Sequence, residues 1–259
     1  MRFVAIGDSF TEGVGDELPD GTVRGWADLV AAGLSAALAG DGETVEYANL
    51  AIRGRLLRPI VTTQLDAALA LRPAPDLLTL NGGGNDMMRP GIDLAGLIAL
   101  TEQTIQRCAD AGVRLVVLSG PDPSGQLPFG RTFRRRGAHL TAAIAEICAR
   151  RDVTFVDCFG DAEIRDHRYW SPDRLHLNSD GHRRVAGLVL HALGLGPVPE
   201  PATRASAARR SVAANARYYR EHVLPWVQRR LRGRSSGDDR DPKHPVWHLV
   251  QPGSETPLP

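Results

Sequence analysis

The chain has 259 residues, with 31 Lys and Arg against 30 Asp and Glu, a formal net charge of +1, and 42% hydrophobic and 24% charged residues. This composition belongs to a globular protein long enough for one large domain plus an appendage, and it favours no polyanionic partner. A four-residue apolar run precedes Gly7, too short for a signal-peptide core, and no apolar run approaches the roughly 18 residues of a membrane span, so a cytoplasmic location is expected. Cys108, Cys148 and Cys158 are odd in number and widely spaced, which argues against a disulfide framework; Cys108 and Cys148 read as small buried thiols.

In chain order, residues 2–6 read as a buried strand that breaks off at Gly7-Asp8-Ser9. The glycine-rich loop of residues 12–24 follows and reads as one wall of a site. Trp26, Leu29, Val30, Leu34, Ala37 and Leu38 recur at helical spacing, with Gly40 as a stop. A second strand over residues 45–50 enters the loop Ala51-Ile52-Arg53-Gly54, and residues 56–71 read as one helix with Pro59 in its first turn. Residues 76–81 form a third strand running into Gly82-Gly83-Gly84-Asn85-Asp86. Leu94, Leu97, Ile98, Thr101, Ile105 and Cys108 make an amphipathic helix closed by Gly112. A fourth strand (113–118), a helix around Leu140, Ile144 and Ile147, a fifth strand (153–157), a loop over 161–178 and a last helix through Val185, Leu188 and Val189 complete the alternation. Strands and helices that alternate with short connections predict a parallel sheet covered on both faces, hence an α/β three-layer sandwich with five parallel strands.

The candidate chemistry sits where strands end. Open α/β sheets place their sites at the carboxyl ends of the strands, which suits Ser9 as a nucleophile. A serine hydroxyl needs a base, a group to orient that base, and donors for an oxyanion. Gly54 offers a backbone N–H that a ligand can approach closely, and Asn85 offers a side-chain amide. Asp173 and His176 lie three residues apart, so one turn can hold carboxylate and imidazole on the same side.

Taken together, Gly7-Asp8-Ser9, the Asn49 to Gly54 loop, Gly83-Gly84-Asn85-Asp86 and Asp173 to His176 resemble the four sequence blocks of the GDSL/SGNH hydrolase family, in the family's order and over residues 1 to about 195. The resemblance implies a flavodoxin-like sandwich and a catalytic triad of Ser9, His176 and Asp173. It also implies an oxyanion hole from the N–H groups of Ser9 and Gly54 and the amide of Asn85. Phe10 stands where the family often has leucine, a change that bears on pocket shape. The implied activity is hydrolysis of carboxylic esters, of esterase, lipase or deacetylase type, on a small-molecule or an acylated carbohydrate or lipid substrate. No cofactor or metal is expected, and the oligomeric state is not specified by these features.

Other motifs take blander readings. Asp8 and Asp86 read as supports that hold the site's loops. Asp8, Asp86, Asp173 and His176 lack the spacing of a metal site, and the glycine run lacks the Lys-Ser/Thr of a phosphate loop. His182 reads as a solvated or capping residue, Arg134-Arg135-Arg136 as a solvated face, and Tyr169, Trp170 and Leu127-Pro128-Phe129 as pocket walls. Aromatic interleaving is too sparse for a nucleic-acid partner.

Residues 1–196 therefore read as the catalytic domain, 197–232 as a Pro linker and an Arg-rich helical segment that resembles the end of some actinobacterial members, and 233–259 as an irregular or disordered tail. All proposed site residues precede residue 183, so residues 198–259 are expected to be dispensable for bond-making. The competing reading is a catalytically idle binding or scaffolding domain that acts through this basic segment.

Overall fold

Alternation within the first strand decides the layering. In β1 (Arg2–Ile6), Phe3 and Ala5 go to one face of the sheet and Val4 and Ile6 to the other, and all four are fully buried. A strand buried on both faces needs helices on both sides. The computed structural model describes residues 1–127, 130–202 and 237–251. In it, β2 (Val45–Asn49), β3 (Leu77–Leu80), β4 (Arg114–Leu118) and β5 (Thr154–Val156) join β1 as parallel neighbours in the order β5-β4-β3-β1-β2. The chain reverses its direction of travel across the sheet between β1 and β3, which opens a crevice at their carboxyl ends.

The helices divide by face. α1 (Ser9–Glu12) is one short turn after β1. α2 (Trp26–Leu38) and α8 (Ser179–Ala192) cover the Phe3 face, with Leu34, Val185 and Val189 packed around Tyr47, Leu77 and Val116. The Val4 face is covered by α3 (Leu57–Pro59), a π-helical turn at Ile60–Gln64, α4 (Leu65–Ala70), α6 (Leu94–Asp110) and α7 (Gly130–Arg150). α5 (Gly84–Met87) is a second single-turn helix, at the end of β3. The helix expected over residues 56–71 is thus interrupted by a wide turn that brings Gln64 round to the sheet.

The five parallel strands are those expected, and among the described residues β6 (His244–Val250) adds a sixth, antiparallel to β2 at the edge. The tail expected to be irregular over 233–259 therefore contains a seven-residue strand. Its sequence hid this: Pro245 is tolerable only on an edge, and an irregular register opposite Tyr47 and Asn49 erases the period of two. The helical expectation for 202–231 falls almost wholly outside the described residues. The proline stretch before it turns back on the domain: the Pro199 carbonyl accepts from Arg184 Nη1 (3.1 Å), and Ala202 N–H donates to Tyr169 Oη (2.8 Å).

Gln64 ties the second layer to the end of β1. It is 6% exposed; its Oε1 accepts from Gly7 N (2.8 Å) and its Nε2 donates to Gly7 O (3.0 Å). Gln64→Leu takes away the acceptor of the buried Gly7 N–H and is expected to cost about 1–3 kcal/mol in urea unfolding. An unchanged midpoint would show that the pair contributes nothing.

Candidate active site

Ser9 is placed by the turn that ends β1. Asp8 adopts extended backbone and caps α1, with its Oδ1 accepting from Phe10 N (3.1 Å), so Ser9 opens the helical turn. The N–H groups of a helix's first turn have no intrahelical acceptor, which leaves the Ser9 N–H unused by α1 itself. Gly13, at φ +102°, stops the turn after Glu12 in a left-handed conformation.

A tight loop between the 3₁₀ turn His167–Tyr169 and α8 carries the two partners. Ser171 N donates to His176 O (2.9 Å), Arg174 takes a left-handed φ of +59°, and Trp170 bridges to Leu177. This closed loop turns Asp173 and His176 to the same side. His176 Nε2 lies 3.0 Å from Ser9 Oγ, and its Nδ1 lies 2.6 Å from Asp173 Oδ2. Asp173 Oδ1 also accepts from Ser171 Oγ (2.6 Å), Leu175 N (2.9 Å) and His176 N (3.0 Å). Burial alone would raise the Asp173 pKa, but the bonds and charge of His176 and the Ser171 hydroxyl hold it well below the ordinary carboxylate range. With Asp173 ionised, Nδ1 carries the proton and Nε2 faces the serine as an acceptor. Ser171 is a partner that spacing alone did not single out.

The loop after β2 reaches the same place. Ile52 N donates to Gly7 O (3.2 Å), and Asn49 Nδ2 donates to Thr11 O (3.0 Å) while its Oδ1 accepts from Ala51 N (3.0 Å). Glu12 fixes the next residue, accepting from Arg53 N (2.7 Å) and Arg53 Nε (2.8 Å). Gly54 then takes φ +75°, a conformation that only glycine adopts without strain.

Asn85 lies in α5 with its amide beside the serine's neighbour: Nδ2 donates to Asp8 Oδ2 and to Arg55 O, both at 3.1 Å. The amide is thus held in place by protein acceptors. Asp86 Oδ2 accepts from Leu57 N (2.9 Å), which ties α5 to α3 as a loop support would. Asp8 is pushed up to about pKa 6 by burial, opposed by the Phe10 N–H bond and by His176, and reinforced by Asp86.

Two readings made from the sequence change. Of the solvated or capping reading of His182 only capping holds: the residue is fully buried in the first turn of α8, and its Nδ1 accepts from Trp26 N (3.2 Å), the first residue of α2. Its Nε2 lies 3.2 Å from Val14 O, and Phe10 stacks on the ring at 6.2 Å. Tyr169 and Trp170 are core residues, 1% and 5% exposed, and Trp170 Nε1 donates to Ile164 O (2.7 Å). They pack under the sheet because α8 and the closed loop cover them. Residues 128–129 lie outside the described residues. Among the described residues no cluster of three or more His, Cys, Asp or Glu is placed to hold a metal ion, and no helix is long and apolar enough to cross a membrane.

The chain thus combines a mostly parallel three-layer sandwich with a serine at the end of β1 that is hydrogen-bonded to a histidine held by a carboxylate. The sequence profile of the GDSL-like Lipase/Acylhydrolase family matches residues 5–184, and the chain belongs to that family. It is a carboxylic ester hydrolase of the GDSL/SGNH type. Among solved structures, a mutant of the acetyl-xylooligosaccharide esterase Axe2 from Geobacillus stearothermophilus is similar at 19% identity and TM-score 0.62, over 77% of this chain and 96% of that one. TesA is similar at 22% identity and TM-score 0.59, over 75% and 99%. The esterase EstA from Pseudoalteromonas sp. is similar at 15% identity and TM-score 0.56, over 74% and 96%. These likenesses concern the fold. No curated protein sequence matches.

The buried imidazole has a consequence for acid stability. Burial lowers the His182 pKa from 6.5 to about 4, so the folded chain holds it neutral while the unfolded chain protonates it below 6.5. The stability present above pH 6.5 is therefore lost as pH falls towards 4, on the order of 3 kcal/mol in all. Thermal melts from pH 7 to 4.5 should show this loss, and His182→Phe, although less stable at pH 7, should show a shallower one. Parallel pH curves for the two proteins would contradict it.

Proposed function

We propose that this chain cleaves carboxylic esters by a cofactor-independent serine mechanism, with Ser9 as nucleophile, His176 as base and Asp173 as the group that orients it. The observation that carries this reading is the unbroken hydrogen-bond line from Ser9 Oγ through His176 (3.0 Å) to Asp173 (2.6 Å), across 167 residues of sequence. Ser9 Oγ attacks the acyl carbon while its proton passes to His176 Nε2, giving a tetrahedral oxyanion and an imidazolium. The Asp173 carboxylate, held ionised by its four hydrogen bonds, stabilises that imidazolium. Nε2 then returns the proton to the departing alkoxide as the carbon–oxygen bond breaks. Water attacks the acyl-enzyme by the same route and regenerates Ser9.

The oxyanion is received by the N–H groups of Ser9 and Gly54 and by the amide of Asn85. For Asn85 this requires one of its present acceptors, Asp8 Oδ2 or Arg55 O, to give way. A full negative charge is a stronger acceptor than the neutral Arg55 carbonyl, so the developing oxyanion can compete for that proton. Asp8 and Asp86 serve as supports for the two short helices that carry Ser9 and Asn85.

Ser9→Ala is expected to lower turnover of p-nitrophenyl esters by several orders of magnitude with the fold intact, and to abolish labelling by a fluorophosphonate. Near wild-type turnover in a folded, uncontaminated Ser9→Ala protein would overturn the assignment. Asn85→Ala is expected to keep fluorophosphonate reactivity but slow turnover by about 100- to 1000-fold, the effect of losing one oxyanion donor. Unchanged turnover would place the third donor elsewhere. Esters of graded acyl length and acetylated xylan form the first substrate series, since one of the similar structures is an acetyl-xylooligosaccharide esterase.

A further inference from the structure

The family match ends at residue 184, yet Gly237 packs on the proposed oxyanion loop and residues 244–250 form β6 beyond it. β6 lies along β2 with His244 opposite Asn49 and His248 opposite Tyr47, so it runs beside the strand that feeds the loop of residues 52–54. Two residues ahead of β6, Gly237 and Lys243, make contacts that bear on the site.

The first is Gly237, which is buried against the loop: a Cβ there would lie 2.0 Å from Arg53 O and 2.7 Å from Ile52 Cγ2. The Arg53 carbonyl and the Gly54 N–H belong to one planar peptide unit, so whatever sets the direction of that carbonyl sets the direction of the N–H. Gly237 packs on the carbonyl side. On the preceding peptide, Glu12 Oε2 holds Arg53 N at 2.7 Å.

The second is Lys243. Its ammonium donates to Glu12 O (2.7 Å), Val23 O (3.1 Å) and Asp28 Oδ2 (2.6 Å), three acceptors for three protons, at 15% side-chain exposure. Glu12 ends the turn that Ser9 begins, and its carboxylate is the one that grips Arg53. Lys243 thus fixes the main chain of the residue whose side chain fixes the loop.

We propose that the strap of residues 237–243 is part of the ester-cleaving site, with Gly237 and Lys243 as positioning residues that aim the Gly54 N–H at the developing oxyanion. This rests on the reading of Gly54 as an oxyanion donor given above, and it reverses the expectation that residues 198–259 are dispensable for bond-making.

The test uses the full chain and p-nitrophenyl acetate, with active sites counted by end-point fluorophosphonate titration. In Gly237→Ala the new Cβ meets Arg53 O, so the strap and the Arg53–Gly54 peptide have to shift relative to each other. Its kcat is expected to fall about 10- to 100-fold, less than outright loss of a donor, with KM within about twofold. The pH profile of kcat/KM should keep its shape, because the triad is untouched. Lys243→Met should move kcat in the same direction and decides the matter if Gly237→Ala does not fold. Trp247→Phe is the control: it removes the Trp247 Nε1 bond to Pro73 O (2.9 Å), a contact of β6 outside the strap, and should lower Tm while leaving kcat unchanged. Wild-type kcat per titrated site in both Gly237→Ala and Lys243→Met would overturn the proposal. So would a kcat loss in Trp247→Phe that matches theirs at equal Tm loss. Ser9→Ala run alongside separates the two readings. Residual activity there overturns the serine mechanism and this inference with it. An inactive Ser9→Ala beside fully active strap variants overturns the strap alone.

Discussion

The architecture of the site depends on the absence of a side chain at residue 7. A Cβ on Gly7 would lie 2.4 Å from Thr11 Oγ1 and 3.1 Å from Asn81 O, so α1 and the end of β3 can close on the end of β1 only around a glycine. The same residue's N–H and carbonyl are both taken by Gln64, and its carbonyl also receives Ile52 N. The π-turn and the loop after β2 therefore converge on one residue. The turn at Asp8 follows, and Ser9 emerges at a fixed point between the β2 and β3 loops. Were β1 to run one residue further, the serine would move off the crevice, since successive side chains point to opposite faces.

Two carboxylates within reach of the chemistry are driven in opposite directions by their surroundings. Asp173 is surrounded by donors from Ser171, Leu175 and His176 and is held strongly acidic. Asp8 is more deeply buried, shares its neighbourhood with Asp86, and is pushed up to about 6. Residue type alone does not distinguish them; the count of donors and the depth of burial do. Asp173 is suited to keep its charge while the imidazole changes its own. Asp8 grips the Asn85 amide more firmly when ionised than when neutral, because a charged acceptor makes the stronger bond.

Much of this was legible from local pattern. The strands of the parallel sheet are short apolar runs ended by glycine or polar residues, and Asp173 and His176 are close enough in sequence for one loop to hold both. Ser9 and Asn85 follow strands, so their place at the carboxyl edge follows from the topology. What was hidden depends on contacts across long separations. Nothing near His182 in sequence marks it as the acceptor for Trp26 N, 156 residues away. Tyr169 and Trp170 looked like pocket walls because they neighbour the His176 loop, but large aromatics in a closed loop gain more by entering the core beneath it. β6 was hidden for a different reason: Pro245 and its irregular pairing remove the alternation by which strands are recognised, and Lys243 resembles any charged residue in a polar tail. The π-turn that delivers Gln64 to Gly7 has no sequence signature beyond an ordinary helical pattern.

The antiparallel edge strand also bears on the order in which the molecule can be assembled. As the chain is synthesised, residues 1–196 leave the ribosome with every parallel pairing of the sheet available, and β2 is then an open edge. Its outward N–H and carbonyl groups stay in water until residues 244–250 emerge, and an unpaired edge is a template for pairing with the wrong chain. Lys243 meets Glu12 across 231 residues, so this closure is among the least local contacts of the described residues, and its loop-closure entropy is correspondingly large. A nascent chain halted before that point carries Ser9, Asp173 and His176 on a sheet whose flank is still exposed.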